Sequence, residues 1–216
     1  MSRKCLEIIL RLPKIYSVLR LLLATRNGHK TREFSDILGA DCEITDLSSL
    51  RHFPVADETG KTFAENAIIK AMSVASAVSG LVVADDSGLE VEALDDAPGV
   101  YSARYAGDRA TDQENVTKLL RELELKHLSP AARRARFRCA LALASNGELI
   151  SVFHGDIAGR IAPCPRGSGG FGYDPVFIPD GSQQTFAQVG EEAKNQMSHR
   201  AVAIRELRKH LAARQS

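Results

Sequence analysis

The sequence has no tryptophan, and its four cysteines are too far apart to form a C-x-x-C pair. This spacing argues against a zinc site and against a disulfide framework, and it suits a reducing compartment such as the cytoplasm. The formal net charge is only +1, so the charge balance favours neither nucleic acid nor an anionic membrane as a partner. No apolar run approaches the roughly 20 residues that a membrane span needs. We therefore expect a cytoplasmic protein that binds neither nucleic acid nor membrane.

The N-terminal residues are basic and are not typical of a secretion signal. A signal peptide needs an unbroken apolar run of about 7–15 residues, and Arg11, Lys14 and Arg20 interrupt every candidate. We interpret residues 1–18 as a loose extension, or as the product of a start codon placed too far upstream. Residues 19–212 are expected to form a single domain.

Helix-type and strand-type patterns are interleaved along the rest of the chain. Two capping boxes, at Thr62 and Thr111, mark helix starts, and Asn146-Gly147 marks a hairpin. This alternation with one hairpin predicts an α/β fold with a mixed sheet. The predicted strands cover residues 18–24, 81–84, 134–143, 149–154, 156–161 and 176–178, and the predicted helices cover 31–38, 62–79, 111–126 and 199–212.

An acidic stretch follows the strand at 81–84, where Asp85-Asp86-Ser87-Gly88 ends an apolar run abruptly. A buried strand rarely meets two carboxylates unless they are solvated or paired. Magnesium prefers carboxylate and phosphate oxygens, and one or two protein carboxylates can hold it. The simpler alternative, on this stretch alone, is an Asx-type turn with Gly88 at positive φ.

The turn between the first strand and first helix, Thr25 to Lys30, is a candidate phosphate site. Backbone N–H groups at a helix start bind phosphate, and Lys30 adds a positive charge. The turn is not a P-loop, because His29 stands where that motif needs glycine. An ordinary turn between a strand and a helix is the alternative.

A glycine-rich loop has four glycines among residues 167–172, which let backbone approach a ligand closely. Phe171 and Tyr173 offer faces on which a base can stack, and Asp174 adds a polar group. A flexible hairpin is the alternative, although it would more often use Ser and Asn than aromatic residues.

Polar donors gather near the last helix, at Lys194 and in Ser198-His199-Arg200. Such donors suit the 6-oxo group of hypoxanthine, xanthine or guanine, whereas the amino group of adenine would leave them unpaired. The alternative is an N-cap at Ser198 followed by charged surface residues. The arginines between residues 133 and 138 alternate with apolar residues, which indicates a solvated strand face rather than a nucleic-acid surface.

Six short motifs occur in one order: T-x-N-x-x-K, F-x-E-N-A-x-x-K-A, A-D-D-S-G-L, P-G-V-Y-S-A-R-Y, G-G-F-G-Y-D-P and S-H-R. Together they resemble the inosine triphosphate pyrophosphatase family, also called dITP/XTP pyrophosphatases, from about residue 19 to residue 211. The resemblance implies hydrolysis of dITP, ITP and XTP to the monophosphate and pyrophosphate. It also implies an elongated mixed sheet flanked by helices, two lobes with an active-site cleft between them, and a homodimer.

The resemblance also implies roles for individual residues. Asp86 is expected to be the general base and an Mg²⁺ ligand, with Glu58 as a second acidic ligand, although Asp57, Glu65 or Asp85 remain alternatives. Ser87 is expected to touch the substrate. The triphosphate is expected to lie on Thr25, Arg26, Asn27, Gly28, His29 and Lys30. The base and sugar are expected to lie among Phe171, Gly172, Tyr173, Asp174, Lys194, His199 and Arg200.

The chain departs from the family pattern T-G-N-x-G-K at two positions, Arg26 and His29. Two other functions stay open at this point: a nucleotide phosphatase that releases orthophosphate, and a sensor that binds triphosphates without cutting them. Two adjacent carboxylates disfavour the sensor, because it gains little from placing them near phosphates.

Overall fold

The computed structural model describes residues 18–50, 53, 56–129 and 132–214. The expected extension over 1–18 therefore lies outside the described residues, apart from residue 18. The described strands are β1 (Leu19–Leu23), β2 (Cys42–Asp46), β3 (Leu81–Val91), β4 (Arg134–Ser145), β5 (Glu148–Ile161) and β6 (Phe177–Pro179). The described α-helices are α1 (Gly28–Leu38), α2 (Phe63–Ala75), α3 (Asp112–Leu125), α4 (Phe186–Val189), α5 (Glu191–Met197) and α6 (His199–Arg214).

The strands form one mixed sheet in the order β2-β1-β3-β4-β5-β6. β1 runs parallel to β2 and β3, whereas β3, β4, β5 and β6 are antiparallel neighbours. β1 pairs with β3 only as far as Val83. Beyond that residue β3 pairs with β4 along one edge and forms one bridge, from Glu90 to Pro98. The sheet therefore opens where β1 ends, and a cleft can form beside the edge of β3 that β1 no longer covers.

Three apolar clusters pack the sheet. The first two clusters make up the first lobe and lie on opposite faces of the sheet. α1 and α6 cover one face through Phe34 and Ile204, and α2 covers the other through Ala67 and Ala71. The third cluster lies in the second lobe, where Leu119 of α3 packs against β3, β4 and β6. The expected fold class, a mixed sheet flanked by helices in two lobes, is confirmed.

The strand predicted over 81–84 was wrong in length, because β3 continues through both aspartates to Val91. The Asx-turn alternative is also wrong, since Gly88 is a strand residue paired with Arg138 of β4. Carboxylates are tolerated inside this strand because Asp85 and Asp86 are both paired with buried cations, as described below. A sequence pattern that shows only hydrophobicity does not reveal such pairing.

Other element boundaries differ by a few residues. α1 begins at Gly28 rather than residue 31, because Asn27 caps it. α2 ends at Ala75 rather than residue 79, and the two strands predicted over 149–161 are one strand, β5. Both capping boxes and the hairpin are confirmed. No helix in the described ranges is long and apolar enough to cross a bilayer.

The arginine-bearing face of β4 is confirmed as a solvated strand face. Arg136 and Arg138 are exposed, whereas Ala135 and Phe137, which alternate with them, are buried. Arg134 donates to Asp180 at 2.7 Å, and Arg136 pairs with Glu90 of β3. Arg134 and Arg136 therefore form ion pairs with carboxylates on the protein surface.

Candidate functional site

A cleft of about 350 Å³ lies where β1 ends and β3 continues, a size typical of small-molecule sites. Ligand sites of open α/β sheets often lie at such strand ends. The cleft brings together most of the residues predicted for the site: Thr25, Arg26, Asn27, Lys30, Glu58, Asp86, Ser87, Phe171, Gly172, Tyr173, Asp174, Lys194, His199 and Arg200. Two predicted residues, Gly28 and His29, lie outside its lining.

The Thr25–Lys30 turn is a capped helix start. The Asn27 side-chain oxygen accepts hydrogen bonds from the backbone N–H groups of His29 at 3.0 Å and Lys30 at 3.3 Å. The positive end of the α1 dipole and the Lys30 ammonium therefore face the cleft together. Arg26 reaches sideways and donates to the carbonyl of Phe53 at 2.8 Å.

Asp85 lies on the α1/α6 face of β3 and is fully enclosed by partners. Its carboxylate pairs with Lys30 and with Arg200 Nε at 2.8 Å, and it accepts from Ser87 Oγ at 3.0 Å. Burial alone would raise the pKa of Asp85, but Arg200 and Lys30 outweigh burial and hold it well below its usual value. Asp85 is therefore a permanent anion whose oxygens are already used, and it is a poor candidate for a metal ligand.

Asp86 points to the opposite face of β3, because successive strand residues alternate. Its Oδ1 accepts from Lys70 Nζ at 2.6 Å, and its Oδ2 lies 3.4 Å from Asn66 Nδ2. Burial raises the pKa of Asp86, and Lys70 only partly offsets this. A carboxylate with a raised pKa is a better proton acceptor than an ordinary aspartate.

Glu58 faces Asp86 across one lysine. Lys70 Nζ lies 2.9 Å from Glu58 Oε1, and Arg104 donates to Glu58 Oε2 at 3.4 Å. Burial would raise the pKa of Glu58, but Lys70 and Arg104 outweigh it and the pKa is lowered. Two anionic oxygens thus converge on one cation, the Lys70 ammonium.

The other candidate ligands are placed differently. Glu65 is used in the capping box of α2, where its Oε2 accepts from the backbone N–H of Thr62 at 3.2 Å and also from that of Lys61 at 2.6 Å. Asp57 is exposed. No cluster of three or more His, Cys, Asp or Glu ligands occurs in the described part of the chain. The Asp86 and Glu58 pair still fits Mg²⁺, because this ion needs only one or two carboxylates when phosphate oxygens and waters complete its shell.

Asn66 connects the two carboxylates, and the sequence analysis missed this role. Its side chain is completely buried; its Oδ1 accepts from the backbone N–H of Gly60 at 2.8 Å, while its Nδ2 faces Asp86. A Cβ at residue 60 would lie 2.6 Å from Asn66 Oδ1, so only glycine fits there. The segment that carries Glu58 is therefore fixed to the helix that supports Asp86.

A chain of alternating charges runs from the phosphate turn to the glycine-rich loop. Arg200 links Asp85 to Glu33 of α1, and Lys194 links Glu33 at 2.9 Å to Asp174 at 2.6 Å. Burial raises the pKa of Asp174, with Lys194 opposing it. Glu33 is a second residue that the sequence analysis missed.

The base end of the cleft contains an unpaired polar atom. His199 is buried and its ring stacks on Phe137 with centroids 4.7 Å apart. Its Nδ1 has no hydrogen-bond partner among the described residues. Burial, with help from Arg200 and Lys194, holds the pKa of His199 well below its usual value, so the ring is neutral. A buried polar atom without a partner is a natural contact point for a ligand.

The aromatic loop is held by two carboxylates. The backbone N–H of Phe171 donates to Asp174 at 2.9 Å, and that of Gly172 donates to Asp112 at 2.6 Å. Tyr173 donates its hydroxyl to the carbonyl of Ser102 at 2.9 Å. The loop is therefore tied to α3 and to the segment that carries Ser102. Asp112 is a third residue that the sequence analysis did not identify.

Known proteins similar to this chain were found by sequence and by structure. A dITP/XTP pyrophosphatase of Geobacter sulfurreducens is 49% identical over 194 residues, which cover 89% of this chain and 96% of that protein. One of Bacillus subtilis is 46% identical over 193 residues, with the same coverage. The solved structure of a HAM1 protein from Coxiella burnetii has a TM-score of 0.81 at 40% identity, covering 90% of this chain and 99% of that one. The model of the Ham1 family matches residues 21–210, and the chain belongs to this family.

Proposed function

We propose that this protein hydrolyses the non-standard purine nucleoside triphosphates dITP, ITP and XTP to the nucleoside monophosphate and pyrophosphate, and so removes them from the nucleotide pool. The relatives named dITP/XTP pyrophosphatases support this activity. One structural observation carries it. At one end of a single cleft, two carboxylates converge on a cation. At the other end, beside the glycine-rich loop, lies a buried imidazole whose Nδ1 has no hydrogen-bond partner among the described residues.

Asp86 and Glu58 are the residues that would hold Mg²⁺ together with the triphosphate. When bound, the ion would neutralise the negative charge of the phosphate oxygens. Lys70 already occupies a position between the two carboxylates, so it must move aside or share them. Its ammonium then lies close to the phosphates, where it stabilises charge.

Asp86 acts on the attacking water. Its carboxylate accepts a proton as the water oxygen bonds to the α-phosphorus, and the bond between that phosphorus and the bridging oxygen breaks. Pyrophosphate leaves with negative charge, which Lys30 and the N-terminus of α1 stabilise. The raised pKa of Asp86 suits this role.

The base is selected at the opposite end. The Nδ1 of neutral His199, as an N–H donor, pairs with the 6-oxo group of hypoxanthine or xanthine, whereas the 6-amino group of adenine offers no acceptor in that position. Lys194 and Arg200 are held by buried carboxylates. They therefore keep the pocket polar and fixed in shape rather than adapting to each base.

Product analysis tests the reaction. With dITP and Mg²⁺, we expect one pyrophosphate for each dIMP, and chelation by EDTA should stop turnover until Mg²⁺ is added back. Orthophosphate with dIDP would support the phosphatase alternative, and binding without any product would support the sensor. Inorganic pyrophosphatase added after the reaction distinguishes the two phosphate products.

Replacing Gly60 by alanine tests the metal site. The added Cβ collides with Asn66 and displaces the Glu58 segment. Because groups that orient metal ligands typically change metal affinity by about 10–100-fold, the Mg²⁺ concentration for half-maximal activity should rise by about that factor. Lys61→Ala, at the exposed neighbouring position, should leave it within about twofold. An unchanged Mg²⁺ requirement in Gly60→Ala would remove Glu58 from the metal site.

We further infer a homodimer in the cytoplasm. Dimerisation is supported by the resemblance to the pyrophosphatase family, and the described part of the chain contains no disulfide, which suits a reducing compartment. Light scattering after size-exclusion chromatography should give twice the 23.5 kDa chain mass.

A further inference from the structure

The two unusual side chains of the phosphate turn, Arg26 and His29, both contact residues outside the turn. Arg26 donates to the carbonyl of Phe53, and the ring of His29 stacks on Phe171 with centroids 5.2 Å apart and planes 22° from parallel. His29 lies at the second position of α1 and is exposed. Its side chain therefore contacts the aromatic loop of the base end, not the triphosphate end.

A small cavity shows on which side of Phe171 the imidazole lies. The cavity has a volume of about 30 Å³ and is lined by α1, α5 and the glycine-rich loop, including both His29 and Phe171. Phe171 also lines the main cleft, whereas His29 does not. Phe171 and Lys194 thus lie between the cleft and the small cavity. His29 contacts the Phe171 ring from the side of the small cavity, that is, from behind as seen from the cleft.

The hydrogen bonds of the loop hold the backbone near Phe171 but not its ring. Gly170 and Gly172 adopt φ values of +73° and +60°, in the left-handed region, and the loop is held through the backbone N–H groups of residues 171 and 172. The ring itself is only partly buried. Lys194 Nζ lies 4.5 Å and Arg200 Cζ lies 5.5 Å from its centroid. The stacked imidazole of His29 adds a third contact that restricts its rotation.

We propose that His29 is a positioning residue for base recognition: it supports the Phe171 ring from behind, so that the opposite face is presented to the purine. This inference rests on the proposed function. It replaces the expectation that the side chain of residue 29 serves the triphosphate. Because the base stacks on Phe171 before and during the reaction, the support acts on substrate binding rather than on the chemical step.

Steady-state kinetics with dITP test the proposal through His29→Ala, Phe171→Ala and the double variant. An aromatic pair contributes about 2–12-fold in affinity. His29→Ala should therefore raise KM by about that factor with kcat within twofold, and it should have no further effect when Phe171 is already alanine. His29→Phe, which keeps an aromatic ring, should restore a KM close to that of the wild type.

Arg32→Ala is the matched control, because Arg32 lies on the same helix and lines the same small cavity without a ring to stack. It should leave KM within twofold. A His29→Ala effect of equal size with and without Phe171, or one on kcat alone, would overturn the proposal. So would a His29→Phe variant that behaves like His29→Ala.

A failure of the proposed function would be recognised separately. Wild-type protein that releases no pyrophosphate from dITP contradicts the function, whatever the variants do. The coupling between His29 and Phe171 is then measured by calorimetry, as the affinity of each variant for dITP without turnover. If the effects of the His29 and Phe171 substitutions on this affinity are simply additive, the role of His29 is contradicted.

Discussion

Replacing Asp86 by asparagine is expected to lower kcat for dITP by about 10²–10⁴-fold, the usual effect of removing a general base. The amide has nearly the same shape but accepts no proton from water. The protein should still fold, because burial already disfavours the charged form of Asp86 and raises its pKa, so a neutral side chain is tolerated. Pyrophosphate release at saturating dITP and Mg²⁺, together with thermal unfolding, gives both results.

The neighbouring residue provides the control for Asp86. Asp85→Asn makes the same chemical change one position earlier in β3, but it leaves Arg200 and Lys30 without their buried anion. This variant should therefore lose stability first, and activity as a consequence. If Asp86→Asn kept near-normal turnover, or if the two variants behaved alike, the assignment of Asp86 as the base would be wrong.

Replacing Arg200 by methionine is expected to destabilise the fold by roughly 3–5 kcal/mol, the typical cost of breaking a buried ion pair by removing one partner. The guanidinium is almost completely buried and contacts Asp85, Glu33 and Ser87, the last at 2.8 Å from Nη2. Methionine fills much of the space but leaves two carboxylates in the interior with fewer cations. Chemical denaturation measured for both proteins gives the difference.

Arg205→Met is the matched control on α6. Arg205 is exposed and donates to the carbonyl of Gln196 at 2.8 Å. Its loss should change stability by no more than about 0.5 kcal/mol, as for most surface substitutions. Equal effects at residues 200 and 205 would mean that the buried charge chain does not stabilise the fold.

The effect of Arg200→Met should also depend on pH. Burial alone would raise the pKa values of Asp85 and Glu33, yet Arg200 and the neighbouring lysines hold both below their usual values of 3.8 and 4.5. A carboxyl group with a lowered folded-state pKa contributes stability above its unfolded pKa and loses it as the pH falls through the folded one. The difference in unfolding free energy between the wild type and Arg200→Met should therefore be largest at neutral pH. It should decrease once the pH falls below the usual pKa values of these carboxyls.

Short motifs and caps were predictable from the sequence because they depend on neighbouring residues. The capping boxes at Thr62 and Thr111 need only a threonine and a glutamate three residues later. The order of the motifs was enough to suggest the family and to place most of the cleft residues. Those features are local, and local patterns can be recognised in the sequence without knowledge of the fold.

Contacts between distant segments were not predictable. β3 was expected to stop at Ala84, because nothing in its sequence shows that Lys30, Lys70 and Arg200 arrive from three helices to pair its aspartates. Glu33 lies on an amphipathic helix where periodicity identifies an apolar face, not a buried carboxylate. The stack between residues 29 and 171 depends on a helix start and a loop that only the sheet topology brings together.

The ratio of kcat/KM for dITP to that for dATP, both measured as pyrophosphate release with Mg²⁺, tests the central claim most directly. A site that pairs its buried donor with a 6-oxo group rejects a base lacking that acceptor by orders of magnitude. We therefore expect a ratio of at least about 10². A ratio near one, with pyrophosphate released equally from both nucleotides, would contradict the assignment of this cleft to purines that carry a 6-oxo group.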